Sequence, residues 1–258
     1  MTNKVLIVYI SCLVACYANG TSYPGSVVNS WHAGYPGYTP WGFCYGNGYM
    51  WVNYLPCFTK RLPRTGSIVD VVGFLGPAAA DMGFENKTRY LYCACFYGGA
   101  YVRDTRTGSD VRSLALPPEV SKAMAIDFDE GAPANPVWLA DDAAWRLWNL
   151  TSTGSLVTSI SIPFNNVRGL AVDRDTPGGP YLFAVAGAAD PQIYILAYPT
   201  GSIINLFPAP ITFPWGLTWD GSYLWTTSST NHFVYQFVAH GYGAIMPASL
   251  GKVKALYH

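Results

Sequence analysis

The sequence predicts an all-β chain, a five-bladed β-propeller of four-stranded blades over residues 24–241, and three observations predict it. A Gly-Ser turn recurs five times, a hairpin-like pair of apolar runs also comes in five copies, and each period of just over forty residues holds four short strand-like runs. The turns are Pro24-Gly25-Ser26, Thr65-Gly66-Ser67, Thr107-Gly108-Ser109, Thr153-Gly154-Ser155 and Thr200-Gly201-Ser202, with glycines 41, 42, 46 and 47 residues apart. Each opens a run rich in β-branched residues: SVVNSWHA, SIVDVVGF, SDVRSLAL, SLVTSISI and SIINLFPA. Glycine supplies the positive φ of a tight turn, and the residues after it suit a pleated surface.

The second element is clearest where PWGFCYGNGYMWV (from Pro40) and PWGLTWDGSYLWT (from Pro214) nearly coincide. AADMGFENKTRYLYCA, AMAIDFDEGAPANPVWLA and VRGLAVDRDTPGGPYLFA are looser copies. Two apolar runs joined by Gly, Asn or Asp read as a hairpin. A third run then leads to the next Gly-Ser turn: CFTKRLPR, GAYVRDTR, AWRLWNLTS, QIYILAYP and HFVYQFVA. The first outer strand, Ser26 to Ala33, precedes any hairpin, and the last blade, Trp215 to Ala239, lacks one. The N-terminal strand is therefore expected to complete the C-terminal blade and remove an open edge.

The succession Trp-Gly-Leu, Asp-Gly, Tyr-Leu-Trp resembles the blades of exported bacterial propellers of the NHL and SMP-30-like group, over most of residues 24–241. The resemblance implies the fold more than an activity, because that architecture carries lectins, lyases, lactonases, receptors and scaffolds.

Residues 1–20 have the layout of a secretory signal: Lys4, then the apolar run VLIVYISCLVA, then small or polar residues. Two endings are open. Leu13-Val14-Ala15-Cys16 resembles a lipobox, which would make Cys16 an acylated first residue and the protein's one link to a membrane. Cleavage near Ala18-Asn19-Gly20 would instead release a soluble chain. Either way the expected location is extracellular, periplasmic or at the cell surface. Export leaves Cys44, Cys57, Cys93 and Cys95, an even set that an oxidising compartment allows to form disulfides. Cys93 and Cys95 alternate along one strand, share a face and cannot bridge each other without distortion, and small buried thiols are the favoured expectation. The tail from Tyr242 to His258 falls outside the repeat; a packed segment, a short helix and a contact with a neighbour all fit it.

Fifteen basic residues balance fifteen acidic ones, so capture of nucleic acid by charge is not expected. Charged residues are 12% of the chain and aromatic ones 16%, against about 25% charged in an ordinary domain. Such a surface fits covering by neighbours or glycans, and equally fits an all-β chain with tight turns.

Function in a propeller is expected at the axis, where the inner strands align. Trp41, Ala80, Met124, Arg168 and Trp215 take the first position; Gly42, Asp81, Ala125, Gly169 and Gly216 the next; Cys44, Gly83, Asp127, Ala171 and Thr218 a third. Asp81 and Asp127 stand out among small residues in adjacent blades. Two carboxylates near each other are the minimum for a glycosidase or a hydrated cation, and Trp41, Trp215 and Arg168 would add a stacking and anion-binding wall. The bland alternative is that each Asp binds backbone amides or Arg168. Asp129, Asp173 and Asp220 recur at one turn position and read as turn residues. No zinc-hydrolase pattern involves His32, His232, His240 or His258, and no Gly-x-Ser-x-Gly elbow or phosphate loop occurs. A lyase similar to the streptogramin-cleaving propellers would need a histidine near the channel, and the inner strands carry none. Besides Asn19, Asn86 and Asn149 begin sequons and are expected to be accessible to glycosylation.

Three functions follow. The first is a non-catalytic exported propeller, binding or self-assembling, whose partner is another copy, an extracellular protein or a glycan. The second is an extracytoplasmic glycoside hydrolase or metal-assisted lyase or lactonase using Asp81 and Asp127. The third is a lectin-like carbohydrate binder. No resident cofactor is implied beyond a cation in the channel.

Overall fold

A computed structural model describes residues 22–240 except positions 97, 135, 142 and 143. Cys16, the rest of the signal-like segment and the tail from Tyr242 lie outside the described residues. Every named element is a strand. β1 (Val27–His32) follows the first Gly-Ser turn. β2 (Phe43–Gly46), β3 (Tyr49–Asn53), β4 (Cys57–Arg61) and β5 (Ile68–Gly73) make the first blade. β6 (Ala79–Glu85), β7 (Tyr90–Cys95), β8 (Ala100–Asp104) and β9 (Asp110–Ser113) make the second. The third is β10 (Ala123–Phe128), β11 (Val137–Asp141), β12 (Arg146–Leu150) and β13 (Leu156–Ser161). The fourth is β14 (Val167–Asp173), β15 (Tyr181–Ala186), β16 (Gln192–Ala197) and β17 (Ile203–Pro208). β18 (Pro214–Trp219), β19 (Leu224–Ser228) and β20 (Phe233–Phe237) form the fifth, and β1 pairs antiparallel with β20 to complete it, as the element order predicts.

The hydrophobic core is divided into five, one slab between each pair of neighbouring blades. Trp51, Phe58 and Phe74 of the first blade meet Met82, Phe84 and Leu91 of the second; Trp31, Trp225 and Val234 of the fifth meet Phe43, Met50 and Tyr54 of the first. Cys44, Cys93 and Cys95 belong to the first of these slabs and Cys57 to the other, all four as free buried thiols. Burial pushes the Cys95 thiol up to about 12, which removes its reactivity at neutral pH.

The repeated Gly-Ser turn is explained by contact between blades. Gly108, at φ +72°, sits where a Cβ would lie 2.1 Å from the carbonyl oxygen of Gly73 at the end of the preceding outer strand. Gly66 against Trp31, Gly154 against Leu114, Gly201 against Ile160 and Gly25 against Phe207 repeat the arrangement around the ring. A bulge or irregularity interrupts the pairing of every outer strand, from Val27/Asn29 in β1 to Ile195/Leu196 opposite β17. Bulges add local twist and blunt an open edge.

At the axis the inner strands β2, β6, β10, β14 and β18 approach backbone to backbone. A Cβ on Gly42 would lie 2.5 Å from the Asp81 Cα, one on Gly83 2.5 Å from the Phe128 nitrogen, and one on Gly169 2.4 Å from the Leu217 nitrogen. The small residues expected from crowding are thus required by it, and side chains enter the axis at only a few points.

Candidate functional site

Those few side chains knit the blades together. Asp81, fully buried, accepts at Oδ2 from the amides of Ile126 (3.2 Å) and Leu170 (3.1 Å), so a carboxylate of the second blade holds the third and fourth. Burial raises its pKa well above the usual carboxylate range, against the lowering effect of the Leu170, Ile126 and Met82 amides. Asp127 accepts at Oδ2 from the Val172 amide at 2.8 Å, and Thr218 Oγ1 accepts from the Tyr45 amide at 3.0 Å, joining third to fourth and fifth to first blades.

The five candidates do not form one site. Trp41, Trp215 and Phe96 meet edge to face at ring separations of 4.8–5.3 Å, and the Arg168 guanidinium lies 4.6 Å from the Trp215 ring centre. Trp41, Arg168 and Trp215 stand at the leading ends of the inner strands, Asp81 is sealed between them, and Asp127 lies toward the trailing ends. Only Asp127 of the five lines a cavity there, of about 470 Å³.

That cavity is built from the trailing ends of inner strands and the turns after them. Its walls include the rings of Tyr45, Phe84, Phe128 and Trp219 and the carboxyl groups of Asp127, Asp129, Glu130, Asp175 and Asp220. Arg174 is the single basic residue in the lining, and Asp129 engages it through both oxygens at 2.5 Å. The Arg174 guanidinium also stacks 4.5 Å over the Tyr198 ring. Asp220 accepts from the amides of Ser222 and Tyr223 and from Trp225 Nε1 at 2.7 Å, while Glu130 accepts from the Asn86 amide. Burial drives the Asp127 carboxyl up to about 8; the Val172 and Phe128 amides oppose that, and Asp129 and Glu130 add to it. The size suits a small molecule or a side chain, within the usual range of roughly 300–1,000 Å³. A shallower groove of about 600 Å³ at the rim, beside Pro56, Leu75 and Gly108, has Asp110 as its one charged lining residue, and Arg103 already pairs with it at 2.6 Å.

Asp129, Asp173 and Asp220 do cap turns as expected, accepting from amides two or three residues on. Each also holds a side chain beyond its own turn: Asp129 and Asp173 the distant Arg174 and His240, and Asp220 the Trp225 indole of the next strand. Sequence reasoning missed Glu130, Arg174, Asp175, Tyr45 and Trp219 as neighbours. The first three lie in the least similar turns of the repeat, and Tyr45 and Trp219 lie in its two most alike copies, where nothing sets them apart from other strand residues. Their one common signal is position, zero to three residues after the inner strand's end or just inside it. Asn86 lines the cavity, and its Oδ1 accepts from the Asn47 amide. Asn149 corrects an expectation: it is 1% exposed within β12, and its Nδ2 donates to Val137 O at 3.3 Å, so a glycan has no access to it in the folded chain. Among the described residues no group of three or more His, Cys, Asp or Glu side chains is arranged to hold a metal ion.

No protein-family model matches the chain, and no curated protein matches it. Among solved structures it is similar to glutaminyl cyclase of Myxococcus xanthus, with TM-score 0.63 and 8% identity over 86% of this chain and 99% of that one. It is similar also to a chain of a mitotic checkpoint complex, with TM-score 0.50 and 10% identity over 77% of this chain and 63% of that one. Likeness at such low identity bears on architecture alone, and there it agrees with the sheets described above: the chain is a five-bladed β-propeller.

Proposed function

We propose that the chain is an exported, non-catalytic binding propeller whose ligand presents a positively charged group to the axial cavity. The observation that carries this reading is the charge of the lining. Asp129 neutralises the one arginine, the raised pKa of Asp127 keeps it protonated at neutral pH, and Glu130, Asp175 and Asp220 remain as carboxylates with no other basic lining residue to balance them. Aromatic walls from Tyr45, Phe128 and Trp219 suit the apolar part of such a ligand and its cation. Export rests on the signal-like residues 1–20, and the natural sources of ligand are then another copy, an extracellular protein or an aminated glycan. Spermidine is a suitable probe in calorimetry. Saturable binding, weakened at least tenfold in Glu130→Lys/Asp175→Lys and by added salt, supports the reading. Equal binding by that variant ends it.

One observation favours a second reading. A carboxyl group held near pKa 8 on a cavity wall is protonated at neutral pH, as a general acid must be, so Asp127 suits an extracytoplasmic glycoside hydrolase or lyase. Asp81, enclosed by main chain of three blades, supports the ring in either case. Cleavage of chromogenic glycosides by the wild type but not by Asp127→Asn would favour catalysis, and no cleavage by either would favour binding alone.

A further inference from the structure

We infer that the cavity is a docking site for the protein's own C-terminal segment, residues 241–258. The inference rests on the reading of the cavity as a site for cations and names the group that fills it in the unliganded chain.

The first support is where the described chain stops. His240 is buried between the fourth and fifth blades, its Nε2 3.1 Å from Asp173 Oδ2. Tyr181, Phe183 and Trp219 enclose its ring at 5.0, 5.4 and 5.8 Å. Trp219 is at the same time a wall of the cavity, and Asp173 is two residues from Asp175 on another wall. The segment therefore departs one aromatic ring away from the cavity, from a root that the Asp173 contact fixes.

The second support is charge. From Gly241 to His258 the sequence contains Lys252 and Lys254 and no acidic side chain. That is the complement of a lining whose Glu130, Asp175 and Asp220 carboxylates have no basic lining residue beside them except the Arg174 that Asp129 already pairs. The third is reach. Lys252 lies twelve residues past the root, which allows roughly 40 Å of extended chain, more than twice the radius of gyration of a domain this size. A tethered group of this kind acts at an effective concentration on the order of millimolar, so a weak intrinsic affinity suffices. Occupation by the tail makes the segment a competitor that an external cation must displace.

The experiment couples amines to carboxylates in the full chain with a zero-length carbodiimide at low salt, followed by digestion and mass spectrometry. The expected product is an amide between Lys252 or Lys254 and Glu130, Asp175 or Asp220 within a monomer. Alongside it, Lys252→Ala/Lys254→Ala should bind spermidine three- to tenfold more tightly than the wild type. Links found only between two chains, or equally often to distant carboxylates such as Asp70, Glu119 and Asp190, overturn the inference, as does unchanged spermidine affinity in the lysine variant. The cation-site reading fails separately, through the cavity variant Glu130→Lys/Asp175→Lys retaining full spermidine affinity.

Discussion

Asp81 on the second blade accepts a hydrogen bond from the Leu170 amide on the fourth at 3.1 Å, across the axis of the ring. The same oxygen takes the Ile126 amide of the blade between them. A propeller is ordinarily held by contacts between neighbours; here one buried carboxyl spans three blades. Removing the acceptor leaves two enclosed N–H groups unpaired, at about 1–3 kcal/mol each. Asp81→Ala should therefore lose roughly 2–5 kcal/mol in denaturant unfolding. Asp81→Asn, which keeps an acceptor oxygen, should stay within about 1 kcal/mol of the wild type. Equal losses in the two variants would show that the oxygen does not carry the effect.

Asp127 makes stability depend on pH. Its folded pKa, pushed up to about 8 by burial, lies above the unfolded value. The stabilisation from its neutral form is thus complete below the unfolded value, roughly pH 4, and is lost as pH rises through about 8. Wild type and Asp127→Asn, whose amide oxygen still accepts from Val172, should differ little in pH trend below pH 4. By pH 8 the variant should have gained on the order of 2–5 kcal/mol relative to the wild type. A difference constant from pH 4 to 8 would contradict the assignment.

Glycines at two turns should respond differently to one methyl group. At Gly108 a Cβ meets backbone at 2.1 Å, and at Gly221, φ +95°, it meets nothing within 4 Å. Gly221→Ala should cost about 1 kcal/mol, the strain of its positive φ alone. Gly108→Ala should exceed that by at least about 2 kcal/mol, since the Gly73 carbonyl cannot rotate away. Thermal unfolding of the two variants side by side measures the contrast.

The His240–Asp173 contact should secure the last described residue of the chain. Burial acts to raise the Asp173 carboxyl, but hydrogen bonds from His240, Thr176 and the Asp175 amide outweigh it and hold the pKa below its ordinary value. Stability from a lowered carboxyl is present above the unfolded pKa and is lost as pH falls through the folded one. His240→Ala should cost about 1–3 kcal/mol at pH 7 and progressively less below pH 4, as followed by urea unfolding.

The fold was legible because repetition reports topology directly: Gly25, Gly66, Gly108, Gly154 and Gly201 each mark one blade, and the unmatched first strand announced the closure of the ring. Strand alternation placed Cys93 and Cys95 on one face in the same way, although residues 91–95 of that strand are buried on both faces. The site was legible only in part. Aligning inner strands picked out Asp81 and Asp127 as exceptions, yet whether a carboxylate meets an amide or a cavity depends on which blade faces it, and periodicity is blind to that. Asp81 thus became a clasp and Asp127 a cavity wall. The Arg174–Asp129 pair joins turns 45 residues apart in sequence, and Asn149 was misjudged because its tripeptide reveals nothing of the register that turns it inward.

Pairing of β1 with β20 has a kinetic consequence. Val27 meets Phe237 across more than two hundred residues of chain, so the fifth blade cannot be completed until β20 has been made. Contacts this remote in sequence form late, because the entropy of closing the loop must be lost before they stabilise anything. Four blades can assemble on the emerging chain while β1 waits unpaired, and its exposed Val27 and Val28 are then open to strand pairing with another molecule. Mistakes in folding are thus expected to take the form of exchanged first strands.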